Sequence, residues 1–385
     1  MELDWSRVVA LRLARSGLDS PAESIESAVT RMVGAHAQVM TAAELSLGIR
    51  TSGLSVADVR AAVAPGGQLV KTYGPRGTIH LLPRADLPRW CAALGALPSA
   101  TSLPEKDRLS TEQVTTVVSA IGTILASETA RARPPDADQL GREVIRLTGS
   151  WAADPVTPAF GGMWPRWRQA IGAAARAGVL AFGEIRGSRV TYVNPGVVID
   201  QDADSAVAWL VHEFLRAYGP ATPAQFARWL GVRPALAVRE FERLSPELSR
   251  VRFAGHEAVV SAGDEAAFAA ESPNHARHSI RLLPHFDPYL IGSFPRELVF
   301  PGIAGERALA HGQAGTHPVI LVDGVVGGIW HARRTSRRFE LAVEPFTALN
   351  RNQRAEVEAE ASRMAGFLGL EVIVAFAPVT ARAHL

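Results

Sequence analysis

The sequence predicts an α+β protein in which three tandem winged helices, each a helix-turn-helix with a β-hairpin wing, precede a C-terminal β-rich, barrel-like domain. Three observations lead to this prediction. The order helix, helix, hairpin occurs three times, capping and glycine turn residues fall between the elements, and closely spaced β-rich runs begin after about residue 272. A chain of 385 residues also exceeds one ordinary core, as expected for several domains.

The first repeat begins with an apolar stripe of helical spacing. Its members are Trp5, Val8, Val9 and Leu13. A helix over 25–33 follows, and a capping box formed by Thr41 and Glu44 predicts that another helix begins at Thr41 and runs to Ile49. A further helix starts after Ser55, and two β-prone runs separated by Gly74-Pro75-Arg76-Gly77 then predict the first wing.

The second and third repeats show the same order. Asp136 and Thr222 each precede a helical pattern with a glutamine three residues later, which predicts two more capping boxes. Hairpins are expected around Gly187 and Gly255. We expect a helix over 164–177, with Trp164 and Trp167 anchoring the core. The predicted domains are 1–102, 103–202, 203–272 and 273–385.

The last predicted domain contains short runs rich in β-branched and aromatic residues and one amphipathic helix. The strands are expected at 281–283, 318–322, 325–330, 339–343 and 372–376. The helix carries its apolar side chains at Val357, Ala361, Met364 and Leu368. A mostly antiparallel sheet or a small barrel would bury these faces.

Composition excludes several classes of protein. The net charge of +2 is too small to indicate nucleic-acid binding by itself, and the single cysteine, Cys91, excludes an internal disulfide and thiolate zinc clusters. His275, His278 and His285 lack cysteine or acidic partners at metal spacing, so no metal and no cofactor are expected. Because the chain has no signal segment and no apolar run long enough for a bilayer, we expect a cytoplasmic protein without membrane contact.

The segment Ala35-His36-Ala37-Gln38 lies between two predicted helices, after a glycine that favours a break. In an extended segment residues i and i+2 point to the same side, so His36 and Gln38 can converge on one small object. Two interpretations are open from spacing alone. The pair is a functional site, or it consists of two polar residues at an ordinary interhelical turn.

The sequence resembles the AlkZ/YcaQ-type bacterial DNA glycosylases over nearly its whole length. The resemblance rests on the triple winged-helix order, on Arg76-Gly77-Thr78 in the first wing, and on two C-terminal segments. These two segments are Leu282-Leu283-Pro284-His285-Phe286-Asp287-Pro288-Tyr289 and Val322-Asp323-Gly324-Val325-Val326-Gly327-Gly328-Ile329-Trp330. The resemblance implies a C-shaped molecule, expected to be a monomer, whose concave face fits duplex DNA.

The resemblance also implies a catalytic role for the His36 segment. The family carries Gln-x-Gln, or Gln-x-Asp in one branch, at this place, so Gln38 matches the second motif residue and His36 replaces the first. Imidazole and amide are both neutral hydrogen-bonding groups near neutral pH, so the role can survive this replacement. His36 and Gln38 are therefore the predicted catalytic residues.

A purine alkylated at N7 is cationic and already a good leaving group. Its excision needs a positioned water and a dipole facing the developing positive charge on the sugar, which an amide and an imidazole can supply. The predicted substrate is accordingly double-stranded DNA with a bulky or crosslinking N7-alkylpurine, in DNA repair or self-resistance to alkylating compounds. A lyase step would need an amine, and Lys71 and Lys106 are the only lysines, so we expect monofunctional hydrolysis.

Cationic side chains near the predicted turns are the candidate DNA contacts. They are Lys71, Arg76, His80, Arg186, Arg189, Arg333, Arg334, Arg337 and Arg338. Such clusters can equally be solvated faces. Two other functions fit the same fold: a non-enzymatic winged-helix transcriptional regulator, and a structural binder of damaged DNA.

Overall fold

The computed structural model describes residues 1–97, 103–159, 162–269 and 279–380. The helices in chain order are α1 (Trp5–Arg15), α2 (Ile25–Arg31), α3 (Met40–Gly48), α4 (Val56–Val63), α5 (Leu87–Ala96), α6 (Thr111–Ala126), α7 (Glu128–Ala132), α8 (Ala137–Thr148), α9 (Ile171–Arg176), α10 (Ala203–Tyr218), α11 (Pro223–Leu230), α12 (Pro234–Arg243), α13 (Glu265–Ala269), α14 (Pro288–Gly292), α15 (Arg296–Val299), α16 (Ile303–Arg307) and α17 (Arg351–Leu368). Among the helices in these ranges, none is both long and apolar enough to cross a membrane.

The strands are short, and most pair with a neighbour in sequence. They are β1 (Glu2–Leu3), β2 (Ala35–His36), β3 (Leu69–Tyr73), β4 (Ile79–Pro83), β5 (Pro155–Ala159), β6 (Gly162–Pro165), β7 (Ala181–Arg186), β8 (Arg189–Val193), β9 (Leu248–Phe253), β10 (His256–Ser261), β11 (Ile280–Leu283), β12 (Val319–Val322), β13 (Val325–Arg334), β14 (Arg338–Pro345) and β15 (Glu371–Phe376). The antiparallel pairs β3–β4, β7–β8 and β9–β10 confirm the three predicted hairpins.

The C-terminal sheet has the strand order β11-β12-β13-β14-β15. It is antiparallel except between β14 and β15, which run parallel because α17 connects them. The predicted strands and late helix are confirmed. In the described part of the chain the sheet ends at β11 and β15 rather than closing into a barrel. Its core contains Leu282, Ile320 and Trp330 from the strands and Val357 and Met364 from α17.

The described contacts divide the chain into two compact units. Unit 1 comprises Met1–Ala62, Val211–Trp229 and Ala237–Leu385, and unit 2 comprises Val63–Leu210 and Leu230–Leu236. Unit 1 contains the core of the C-terminal sheet, to which Val9 and Leu13 of α1 contribute. Unit 2 has its own core around Trp167, Leu140 and Ile121.

Two predicted helix caps are confirmed. Asp136 and Gln139 exchange side-chain and backbone hydrogen bonds at the start of α8. Thr222 and Gln225 do the same at the start of α11, with distances of 3.0 and 3.3 Å. Each exchange satisfies two amide groups that the first helical turn leaves unpaired.

The predicted capping box at Thr41 and Glu44 is wrong. Helix α3 begins one residue earlier, at Met40, with Val39 as an N-cap that makes no side-chain hydrogen bond. The Glu44 side chain is buried and accepts a hydrogen bond of 2.8 Å from Arg60 Nε. An arginine on α4 therefore takes the carboxylate that was expected to cap the helix.

The predicted helix over 164–177 is also wrong in its first half. Strand β6 pairs with β5, a 3-10 turn covers Arg166–Ala170, and α9 begins only at Ile171. The cause is Pro165, since the residue before a proline favours extended backbone. Trp167 is in the core as expected, whereas Trp164 is exposed and has the Arg168 guanidinium 4.0 Å from its ring centroid.

Candidate active site at the motif corner

The motif corner consists of residues 33–38, where the chain leaves α2 and turns towards α3. Val33 and Gly34 both have left-handed backbone, with φ values of 54° and 90°. The Gly34 amide donates to Val29 O at 3.0 Å, closing the end of α2. This sharp turn places the following residues, including strand β2, in extended geometry.

The small residues of the corner are more deeply buried than its polar residues. Ala35 and Ala37 are completely buried, His36 is 7% exposed, and Gln38 is exposed. Ala35 and Ala37 therefore belong to the core, His36 is nearly buried on β2, and Gln38 lies at the bend before α3. His36 thus sits in a dry position beside a glutamine that solvent can reach.

The side of the corner next to α2 is held by α10. Tyr218 donates its hydroxyl hydrogen to Met32 O, and Arg216 Nη2 donates to Thr30 O at 2.9 Å. Tyr218 thus supplies a donor to Met32 O just past the last turn of α2, and Arg216 adds a second donor to Thr30 O, which also accepts from the Val33 amide at 3.0 Å. The last turn before the motif is therefore fixed by side chains from a distant part of the sequence.

The other side is held by a buried ion pair. Arg50, just after α3, meets both oxygens of Asp287 at 2.7 Å, and neither side chain is exposed to solvent. Ser46 Oγ also donates to Asp287 Oδ2 at 2.8 Å. A bidentate arginine-carboxylate pair fixes both distance and orientation. Helix α3, which begins two residues after Gln38, is thereby tied to the C-terminal part of unit 1.

Phe286 is the direct neighbour of His36 in this assembly. The two ring centroids are 4.8 Å apart and the ring planes meet at 35°. Phe286 has a φ of 57°, which is unusual for a residue with a bulky side chain, and its amide donates to Gly315 O at 2.6 Å. The residue that follows, Asp287, is itself held by the ion pair with Arg50.

The two C-terminal segments of the family resemblance pack together in the structure. Tyr289 donates its hydroxyl hydrogen to Gly324 O at 2.8 Å, and Trp330 Nε1 donates to Leu283 O at 3.1 Å. A Cβ on Gly324 would lie 2.1 Å from Val9 Cγ1, so α1 requires glycine there. Burial raises the pKa of Tyr289 well above its usual range, so the phenol stays a hydrogen donor.

The chemistry available at the corner is that of an imidazole and a side-chain amide. In the parts of the chain that the structure describes, no group of three His, Cys, Asp or Glu side chains is arranged to hold a metal ion. His275 and His278 lie outside the described residues, and His285 Nδ1 is 3.1 Å from Thr316 O. The corner can orient a water molecule and present dipoles to a developing positive charge.

The predicted DNA contacts on the first wing differ in accessibility. Lys71 and Arg76 are half-buried. His80 is only 3% exposed, and a Cβ on Gly74 would lie 2.8 Å from its ring. His80 lies opposite Thr72 in the hairpin and is buried, and its contact with a phosphate stays a prediction.

The remaining predicted DNA contacts are exposed on two hairpins, which we call the cationic hairpins. Arg186 and Arg189 flank the β7–β8 turn in unit 2, and the β13–β14 turn in unit 1 carries four further arginines. These four are Arg333, Arg334, Arg337 and Arg338. Arg189 pairs with Asp136 at 2.9 Å, and Arg338 lies 3.8 Å from Glu371, so part of this charge is already balanced.

Three residues around the motif corner were missed by the sequence analysis. Ser46 lies in the apolar helix α3, and Arg50 lies just after it. An arginine in such surroundings signals a buried partner, but this partner, Asp287, is more than 200 residues away in the sequence. Phe286 belongs to a segment singled out for its resemblance, with no local sign that it contacts His36. Long-range pairing of this kind leaves no periodic pattern in the sequence.

Comparison with known proteins supplies the family context. The sequence matches the model of the family described as DNA glycosylase AlkZ-like over residues 29–367. A relative named interstrand DNA cross-link repair glycosylase, from Streptomyces sahachiroi, is 28% identical over 96% of this chain and 98% of its own. The solved structure of Streptomyces sahachiroi DNA glycosylase AlkZ matches with a TM-score of 0.77 and 28% identity, covering 97% of this chain and 100% of that one.

Proposed function

Because the chain belongs to the AlkZ-like DNA glycosylase family, we propose that it is a DNA glycosylase, one that hydrolyses the N-glycosidic bond of bulky or crosslinking N7-alkylpurines in duplex DNA. The name of the Streptomyces sahachiroi relative supports a role in the repair of interstrand crosslinks. This activity would serve DNA repair or self-resistance to alkylating compounds.

The observation that carries the proposal is the motif corner. His36 lies on the two-residue strand β2 and Gln38 at the bend that follows it, with buried alanines before His36 and between the two residues. Helix α10 holds one side of the segment, and the Arg50–Asp287 pair holds the other. An ordinary surface turn needs none of these contacts, whereas a catalytic site needs its groups held in place before the substrate arrives.

The proposed reaction follows from the chemistry of the lesion. The bond between C1′ and N9 of the purine breaks, and its electron pair moves into the cationic ring and neutralises N7. A water molecule adds to C1′, which has oxocarbenium character, and releases a proton. Gln38 and His36 orient this water and stabilise the positive sugar through their dipoles. An unmodified purine leaves as an anion and would need acid catalysis, so we expect it to be inert.

The proposed enzyme is monofunctional. Strand cleavage through a Schiff base needs an amine, and the sequence offers only two side-chain amines, Lys71 and Lys106. Lys71 is half-buried on β3. We therefore expect release of a free base and an intact strand that carries an abasic site.

The finer features of the fold remain part of the proposal. These are three winged helices with the predicted domain boundaries, a C-shaped monomer and a cytoplasmic location. The proposed phosphate contacts are the half-buried Lys71 and Arg76 of the first wing, His80, and the exposed arginines of the cationic hairpins. Cationic side chains near turns can reach phosphate oxygens, and guanidinium groups can do so with two hydrogen bonds.

The test is incubation of the protein with a duplex that carries a single bulky N7-alkylguanine, with an unmodified duplex as control. Chromatography should detect the free alkylguanine, and the strand should break only after alkaline treatment. Tight binding without release of the base would favour the structural binder. Selective binding to one palindrome regardless of damage would favour the regulator.

A further inference from the structure

The half-buried Phe286 ring lies beside His36, and its backbone is fixed on both sides. We propose that Phe286 is a positioning residue that fixes the imidazole of His36, so that the C-terminal part of unit 1 completes the active site. This inference rests on the proposed function, because it assigns to Phe286 an effect on a catalytic His36.

The backbone of Phe286 is held in an unusual conformation by its neighbours. Its φ of 57° lies in the left-handed region, where a bulky side chain is strained by about 1 kcal/mol or more. A Cβ on Gly315 would lie 3.1 Å from Phe286 Cα, so the opposing loop approaches closely and donates no side chain of its own. The hydrogen bond from the Phe286 amide to Gly315 O and the ion pair of Asp287 hold this conformation. Such strain persists only where the surroundings determine the backbone fully.

The Phe286 ring restricts the orientation of the His36 imidazole. A histidine at this place is shorter than the glutamine that the motif usually carries, and its ring can rotate about two bonds. An aromatic ring whose centroid lies 4.8 Å from that of the imidazole, with the planes tilted by 35°, occupies the space into which the imidazole would otherwise rotate. A leucine would fill much of the same space without a flat face. Because the reaction depends on the placement of the water, a small error in the imidazole orientation lowers the rate and not the affinity for DNA.

The segment Phe286-Asp287 links His36 to helix α3. Asp287 follows Phe286 directly and contacts Ser46 and Arg50. Ser46 lies in α3, the helix that starts after Gln38, and Arg50 lies just after that helix. One short segment, Phe286-Asp287, therefore contacts both the first motif residue and the helix that follows the second. This arrangement explains why a segment 250 residues after the motif shares the resemblance to the family.

The test compares Phe286→Leu in two backgrounds, the parent and His36→Gln. In the parent we expect the single-turnover rate constant of excision to fall by about 10-fold or more with unchanged affinity for the duplex. In the His36→Gln background the same change should lower the rate constant much less, because the imidazole that Phe286 contacts is absent. Phe286→Tyr, which keeps the ring, should retain most of the parent rate. Phe300→Leu, the same substitution in the core of the C-terminal sheet, is the matched control.

A second readout does not depend on activity. In NMR spectra with labelled histidine, His36→Gln identifies the His36 resonance, and Phe286→Leu should shift it by removing the ring current while Phe300→Leu leaves it in place. An equal loss of rate in both backgrounds, or an unmoved His36 resonance, would overturn the positioning role. Parent-rate excision by His36→Ala would overturn the catalytic role of His36 as well, and a shifted resonance would then show that the contact exists without serving catalysis.

Discussion

The motif corner and the cationic hairpins hold their polar side chains in different ways. At the corner His36 is nearly buried, and the backbone around it is fixed by Tyr218, Arg50 and Asp287. On the β13–β14 hairpin, Arg333 and Arg334 extend into solvent from the end of a strand. Burial and fixed orientation suit groups that must act on one bond, whereas exposure suits groups that must reach phosphates along an irregular path.

This difference separates two measurable quantities. Groups at the corner should affect the rate of the chemical step, and groups on the hairpins should affect affinity and its dependence on salt. The buried ion pair belongs to a third category, since it supports the corner and its loss should be visible as a loss of stability before any effect on chemistry.

The largest effect is expected from breaking the buried pair. Arg50→Met leaves the Asp287 carboxylate buried without its counter-charge, which should lower the free energy of unfolding by about 3–5 kcal/mol in denaturant titrations. Arg15→Met is the control, because the pair between Arg15 and Asp264 is partly exposed and its loss should cost clearly less. Equal losses in the two variants would mean that the buried pair does not hold the corner.

A smaller effect is expected on the β13–β14 hairpin. The double variant Arg333→Ala/Arg334→Ala should weaken binding to duplex DNA and make the plot of log K against log salt shallower by about 1 for each arginine that contacts a phosphate. The parent excision rate should persist at saturating protein. The double variant Arg7→Ala/Arg351→Ala removes the same charge from two exposed helical positions. If the two double variants weaken binding equally, the effect is one of net charge and the hairpin has no special role.

The β7–β8 hairpin offers a finer comparison between neighbouring arginines. Arg189 is paired with Asp136 at 2.9 Å and lies 3.6 Å from Asp138. Arg186 donates to Pro134 O, and among the described residues no carboxylate forms an ion pair with it. Arg186→Ala should therefore weaken DNA binding more than Arg189→Ala in fluorescence titrations. The opposite order would show that Arg189 leaves its carboxylates when DNA binds.

The smallest effect concerns pH. Hydrogen bonds from the Gln139 amide and from Arg189 hold the pKa of Asp136 below its ordinary value. A carboxyl with a lowered folded pKa stabilises the protein fully above its unfolded pKa, and this contribution is lost as the pH falls through the folded value. Compared with Asp136→Asn, the parent should have the higher denaturation midpoint at neutral pH, and the difference should shrink in acid. A difference that does not change with pH would contradict this assignment.

The sequence predicted most local elements, because caps, turns and alternation are local signals. The hairpins, the boxes at Asp136 and Thr222, and the five C-terminal strands are confirmed. The errors at Glu44 and Trp164 have a common physical cause. In each case a neighbour that the pattern did not include, Arg60 for Glu44 and Pro165 for Trp164, decided the local structure.

The site was only partly predictable for a different reason. The position of His36 and Gln38 followed from the break in the helical pattern and from the resemblance, and their roles remain predictions. The groups around them come from distant sequence: Tyr218, Arg50 with Asp287, and Phe286. No periodicity links residues so far apart, so the environment of the corner needed the folded structure.

The most direct test of this account is single-turnover excision of an N7-alkylguanine, measured together with duplex affinity, for Gln38→Ala. Gln201→Ala, which removes an exposed glutamine elsewhere, is the matched control. The account predicts a rate constant lower by about 10²-fold or more, the scale for removing one positioned hydrogen bond from a catalytic site, with unchanged affinity and with the parent rate in the control. Excision at the parent rate by both Gln38→Ala and His36→Ala would contradict it and leave the motif corner an ordinary turn between two helices.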